Sequence, residues 1–251
     1  MIAAKTAAPA TGTLAGRVIL VTGASGGLGS ALCRQAAAQG ATLILCGRRV
    51  RPLEKLYDEL LAAGAAEAGI YPIDLEGASP ADFQQLAETV EREFGRLDGL
   101  VHAAAHFTGL VAHSVTPPDE WLKSIQVNLN APVALTQACL PVMRKSRDAA
   151  LLVVLDQSER VGKAHWGAYG VAKIALRGVL SQWSQELDHT PIRVHGLVPT
   201  PMRTRLRSLA YFAENPGLIS LPDDVASACV ELLSPTGNVW RGRIRDLNHS
   251  M

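Results

Sequence analysis

The stretch that decides the fold runs Arg17-Val-Ile-Leu-Val-Thr22 and then Gly23-Ala-Ser-Gly-Gly-Leu-Gly29. A β-branched apolar run ends in a glycine-rich turn, and an Ala- and Leu-rich segment of helical length follows. In that context the glycine spacing marks a nucleotide-binding turn, whereas the glycines alone would make only a flexible loop. Gly23 suits the tight turn, Gly27 leaves out a Cβ where backbone approaches a pyrophosphate, and Gly29 allows helix and strand to pack closely. With Ser25 and Leu28 completing the loop, the new helix presents unpaired N–H groups and partial positive charge to phosphates.

Outward from this turn, short apolar runs alternate with amphipathic segments. The runs are Arg17–Thr22, Ala41–Cys46, Ile70–Asp74, Leu97–His102, Leu151–Leu155 and Ile192–Val198, with a last short one at Arg243–Asp246. Helices are expected at 27–39, 51–63, 80–94, 118–145, 166–188 and 222–233. Runs that are apolar throughout imply strands covered on both faces. Repeated strand–helix alternation therefore predicts an α/β fold, a Rossmann-type doubly wound parallel sheet. It forms a single domain over 14–251 behind a flexible tail at 1–13. Ligands on such sheets bind beyond the carboxyl ends of the strands, which directs attention to the loops there.

The 251-residue chain is 48% apolar, enough for one sizeable core, and its 24 Lys and Arg against 23 Asp and Glu leave a net charge of +1. No global field attracts polyanions, so neither nucleic acid nor an anionic membrane is an expected partner. Cys33, Cys46, Cys139 and Cys229 lack metal-type spacing and read as reduced, buried thiols of a cytoplasmic protein. No apolar run reaches the about 18 residues of a membrane span, and the segment 1–13 lacks the apolar centre of a signal peptide.

The second strand ends Leu45-Cys46-Gly47-Arg48-Arg49, without the acidic residue that reads a ribose 2′-hydroxyl. Arg48 offers a permanently charged planar fork to a 2′-phosphate, so NADP is expected over NAD. The plainer alternative is a solvated arginine. Asp74 and Leu75 are placed to border the adenine, and Asp74 is equally suited to capping the next turn.

Several spacings now converge: Thr22 to Gly29, Leu97-Asp98, Val127-Asn128, Tyr169-Gly-Val-Ala-Lys173, and Pro199 with Thr204. Together they resemble the classical short-chain dehydrogenases/reductases over about residues 16–246. The resemblance implies an NADP-dependent oxidoreductase that moves hydride between the nicotinamide and a small carbonyl or alcohol. Tyr169 would be the general acid or base, Lys173 would hold the nicotinamide ribose, and Asn128 would hold a proton-relaying water. Ala103, Pro199 and Thr204 would border the cofactor, the last at its carboxamide. Tyr169 and Lys173, four apart on a helix, share a face, and an adjacent ammonium would lower the phenol pKa. The resemblance also implies a lid at about 201–221 and a homodimer or homotetramer. Residues Ala131, Val133, Leu135 and Ala138, with Ile174, Leu176, Val179 and Leu180, suggest extra apolar helix faces for such packing.

Three departures stand beside these matches. The family's Ser thirteen residues before the Tyr is replaced by Asp156, and Ser158 on an extended strand would lie about 6.6 Å further along. Asp156 either faces the substrate oxygen, points away, or pairs with Arg160 or Lys163. The Asn-Asn-Ala-Gly stretch reads His102-Ala103-Ala104-Ala105, and Pro-Gly reads Pro199-Thr200-Pro201. His102 and His106 have no neighbouring carboxylate or cysteine in sequence, so no metal site is expected. These departures support an alternative, an NADP-binding protein of this fold with little or no reductase activity, acting as a sensor or interaction subunit; a lyase or isomerase using the same Tyr–Lys pair is a third reading. In the lid, Arg203, Arg205 and Arg207 read as solvated or as anion-recognising, and Trp166 as a pocket wall or as helix packing.

Overall fold

The computed structural model describes residues 12–65 and 67–248. Strands β1 (Val18–Thr22), β2 (Thr42–Gly47), β3 (Ala68–Pro72), β4 (Gly99–His102), β5 (Ala149–Val154), β6 (Ile192–Val198) and β7 (Arg243–Asp246) form one sheet. Every pairing is parallel, in the order β3-β2-β1-β4-β5-β6-β7. Helices α1 (Gly27–Ala38), α2 (Val50–Ala62) and α9 (Pro222–Leu233) pack one face, and α3 (Pro80–Phe94), α5 (Ala131–Met143) and α7 (Gly167–Glu186) the other. Shorter helices are α4 (Pro118–Ile125), α6 (Ser158–Val161) and α8 (Arg205–Ala210).

Period-two burial explains the uninterrupted apolar runs. In β5, Leu151 and Val153 join the core under α5 and α7, while Ala150, Leu152 and Val154 join the core under α1 and α9. Both sets are buried, so no position is left for a polar residue. Local chemistry fixes the helix ends in places. Ser79 and Asp82 form a reciprocal capping box before α3, with Pro80 at its start and Gly95 closing it at φ 72°.

Four expectations need correction. Of the tail expected at 1–13, Gly12 and Thr13 lie among the described residues; Thr13 bonds Gln39 Oε1 through its N–H and its hydroxyl, so they belong to the packed domain, and residues 1–11 lie outside the described set. The third strand pairs two residues earlier than 70–74, because Asp74 already turns the chain, its carbonyl accepting from Gly77 and Ala78. The helix expected at 118–145 is divided by a π-helical turn, Gln126–Asn130. Pro132 has no N–H for the Asn128 carbonyl four residues back and its ring would crowd it, which a wider turn relieves. Finally, Ala131, Leu135, Leu176 and Leu180 are buried in this chain's own core, leaving Ile174 and Val171 as the exposed apolar residues of α7.

Candidate active site

β1 lies between β2 and β4, so the chain leaving β1 crosses to one face and the chain leaving β4 to the other. The loops separate there, at the switch point of the sheet, and open a cleft of about 440 Å³. The glycine turn forms its floor. Gly23 has φ 66°, and a Cβ there would lie 2.7 Å from Ala104 Cα; a Cβ on Gly29 would lie 2.1 Å from the Gly23 carbonyl oxygen. Gly26 caps α1 with no side-chain hydrogen bond, so the first-turn N–H groups have no capping side chain. Ser25, Gly27 and Leu28 line the cleft beside them. This open, positively polarised helix end, with backbone packed too closely for any side chain, fits a dinucleotide pyrophosphate.

At one end of the cleft stand Arg48 and Arg49, both exposed and making no hydrogen bond or ion pair among the described residues. Leu75 is buried beside them, while Asp74 lines the wall and also caps its turn, accepting the Glu76 N–H at 3.1 Å. Ala103 follows β4, its N–H donating to Thr22 Oγ1. Pro199 and Thr204 border the far side. Thr204 caps α8 by accepting the Arg207 N–H, and its methyl lies against Gly27.

The opposite end holds the titratable cluster. Tyr169 projects from the first turn of α7, 5% exposed, against the Phe107 and Trp166 rings at 5.1 and 5.9 Å, which stack on each other at 5.3 Å. Its hydroxyl donates to Asp156 Oδ2 at 2.9 Å. The other carboxylate oxygen accepts from its neighbour's N–H, that of Gln157, and from Arg160 Nε and Nη2. Arg160 in turn lies 5.4 Å from the Trp166 ring centroid. Lys173 Nζ donates to the Val154 carbonyl at 2.8 Å and lies 5.9 Å from the Tyr169 ring centroid. Burial lowers the ammonium pKa to about 8, partly offset by Asp156. Burial, then the Asp156 charge and hydrogen bond, push the Tyr169 phenol well above its ordinary value, with Arg160 opposing. The phenol pKa is thus raised, where the Tyr–Lys spacing alone predicted a lowering, because the hydroxyl is buried and a carboxylate rather than the ammonium touches it.

Ser158 does not sit on an extended strand. The chain leaves β5 at Val154 and Ser158 begins α6, which is what brings Arg160 back onto Asp156. Asp156 therefore both faces the cleft and pairs with Arg160, combining readings that the sequence left as alternatives. Asn128 is 1% exposed and outside the cleft wall. Its amide clamps the loop after β4, accepting from His106 N–H at 3.0 Å and donating to the His106 carbonyl at 2.8 Å. His106 pairs with Glu120 at 2.5 Å, and the buried His102, its pKa lowered by burial to about 3, pairs with Thr136. Phe107 carries no motif in the sequence, and only the tertiary stack reveals it. Over the cleft, Arg207 pairs with Glu214 and stacks 4.0 Å from the Tyr211 ring, which makes it a structural arginine of the segment 201–221; Arg205 is exposed on the rim. No described helix is long and apolar enough to cross a membrane.

The profile described as short chain dehydrogenase matches residues 17–212. The uncharacterized oxidoreductase YciK of Escherichia coli (strain K12) is 34% identical over 209 residues, covering 83% of this chain and 82% of the relative. A short chain dehydrogenase from Salmonella enterica serovar Typhi superposes with a TM-score of 0.90 at 30% identity, over 95% of this chain and 98% of that one. A short chain dehydrogenase from Escherichia coli CFT073, complexed with NADPH, gives 0.89 at 31% identity, over 95% and 98%. With its parallel seven-stranded sheet, its glycine turn and a matched profile over most of its length, the chain belongs to the short chain dehydrogenase family.

Proposed function

We propose that this protein is an NADP-dependent oxidoreductase acting on a small carbonyl or alcohol. The observation that carries the reading is the meeting, in one cleft, of the open α1 terminus with Tyr169 and Lys173. The similar Escherichia coli dehydrogenase complexed with NADPH supports a nicotinamide cofactor, and the unpaired Arg48 supports the 2′-phosphate. The bound nicotinamide would supply or accept hydride. The chain's own part is to bind and to handle protons. The α1 terminus and Gly23, Ser25, Gly27, Leu28 and Gly29 hold the pyrophosphate, Arg48 the 2′-phosphate, and Asp74 and Leu75 the adenine. Ala103, Pro199 and Thr204 flank the nicotinamide half. Lys173, fixed by the Val154 carbonyl, reaches the ribose. Tyr169 exchanges a proton with the substrate oxygen, and the segment 201–221 covers the substrate. Asn128 serves by holding the loop that carries Phe107 into the substrate wall.

The second reading, cofactor binding with little turnover, draws on one observation: the Tyr169 proton is directed at Asp156. Exposed Val171, Ile174 and Leu122 support self-association through α4 and α7. Calorimetry with NADPH and NADH, followed by a turnover screen over paired alcohols and carbonyls, separates the readings: tight binding without turnover selects the second. Light scattering tests the assembly.

A further inference from the structure

We propose that Asp156 is the proton acceptor in alcohol oxidation by this protein, receiving the substrate's proton through Tyr169, which acts as a relay. The inference rests on the oxidoreductase reading and adds to it the residue on which the proton ends. Three observations carry it. The Tyr169 hydroxyl donates to Asp156 Oδ2 at 2.9 Å, inside the cleft and with both side chains buried. The partners of the other oxygen are all donors, the Gln157 N–H and the Arg160 guanidinium, which is the pattern of a carboxylate. Among the described residues Oδ2 has no other hydrogen-bond partner, so it is the acceptor at the end of a single hydrogen bond.

The step balances as follows. The substrate alcohol loses its O–H proton to the Tyr169 oxygen while the Tyr169 proton passes to Asp156 Oδ2. The hydride on the substrate carbon goes to an oxidised nicotinamide dinucleotide. The products are a carbonyl compound, reduced dinucleotide, neutral Tyr169 and protonated Asp156. No phenolate is formed, which matters because burial and the neighbouring carboxylate both oppose one. Carbonyl reduction is the reverse and begins from protonated Asp156.

The charged groups around the carboxylate are set for this task. From α6, Arg160 pairs with Oδ1 and leaves Oδ2 to the phenol. From α7, the Lys173 ammonium has its pKa lowered by burial, only partly offset by Asp156, and Arg177 reaches the Asp156 carbonyl rather than its carboxylate. From the segment over the cleft, Tyr211 and Glu214 interact with Arg160.

The test is a slope, because the overall equilibrium fixes the ratio of the two directions at each pH and a variant must change both together. Oxidation of a panel of small secondary alcohols, with NADP saturating at every pH, is followed between about pH 6 and pH 9. Wild type should be nearly flat across neutral pH, whereas Asp156→Asn, left with the phenol alone, should climb about tenfold per pH unit. Asp156→Ser serves if the Asn variant folds poorly. In parallel, ultraviolet titration of phenolate without cofactor, taken as the difference from Tyr169→Phe, should place Tyr169 ionisation at least about one pH unit lower in Asp156→Asn. A wild-type rate that itself climbs about tenfold per unit, or slopes that coincide, overturns the proposal. So do coincident phenol titrations, or a wild type that binds NADP and oxidises nothing in the panel; that last result leaves the cofactor reading standing. Failure of wild type to bind NADP instead overturns the oxidoreductase reading, and the phenol titration then decides the Asp156–Tyr169 link alone.

Discussion

The Tyr169 hydroxyl donates its hydrogen bond to Asp156 Oδ2 at 2.9 Å, so the phenol proton points at a carboxylate rather than into open cleft. An ionised carboxylate at that place cannot donate to a substrate oxygen that gains negative charge, and one missing donor of this kind costs about 10² to 10³ in rate. Carbonyl reduction by wild type should therefore be slow at neutral pH. Asp156→Ser should reduce a generic dicarbonyl faster at about pH 7 to pH 8. Wild-type reduction already fast at the alkaline end, or a serine variant no faster, would count against this.

Cofactor choice turns on Arg48. NADPH should bind more tightly than NADH, and Arg48→Ala should weaken NADPH about tenfold, about 1.4 kcal/mol, while leaving NADH unchanged. Isothermal calorimetry with both cofactors measures it. Equal affinities in wild type would remove the 2′-phosphate argument.

Tyr169→Phe should keep cofactor affinity and lose turnover, since the ring stays packed against Phe107 and Trp166 while the hydroxyl disappears. Lys173→Ala should damage both. Because burial brings the Lys173 ammonium to about 8, cofactor affinity in wild type should also weaken as pH rises through that value and the positive charge is lost. Binding isotherms at several pH values, with Lys173→Ala as the flat reference, check the sign.

Arg160 and Asp156 form a mostly buried pair, their side chains 20% and 4% exposed. Arg160→Met strands a buried carboxylate and should destabilise the fold by about 3 kcal/mol in urea unfolding. Asp156→Ser in the same chain should restore much of that loss, since no charge is then left unpaired. Additive effects of the two changes would show that the pair is not coupled.

Acid should weaken the fold through two buried histidines. His195 accepts from Arg193 at Nε2 and donates from Nδ1 to the Trp240 carbonyl, a neutral tautomer, and burial lowers its pKa to about 4. His102 is lowered to about 3. The unfolded chain binds these protons below about pH 6.5 while the folded chain does not, so the contribution is complete above that pH and is lost as pH falls toward the folded values. For His195 the loss approaches about 3 kcal/mol once pH reaches its folded value. Urea unfolding at several pH values, compared with His195→Gln, should show a flatter profile for the variant.

By itself the sequence determined the doubly wound sheet, most helix boundaries and the glycine turn. Those features rest on local causes: apolar runs buried on both strand faces, a capping box at Ser79, and a turn at Gly23 that needs positive φ. It also marked Tyr169, Lys173 and the unusual Asp156. It could not show that Pro132 forces a π turn at Asn128, nor that two of the helix faces counted as spare are used internally. Only the tertiary structure decided what the active-site groups do to one another. Tyr169 and Lys173 share a helix face, yet burial and a carboxylate delivered from the end of β5 set the phenol, and α6 folds Arg160 back to hold that carboxylate. Charge and desolvation act through space, so residues from separate elements set the chemistry of each side chain, and spacing along one helix does not reveal them.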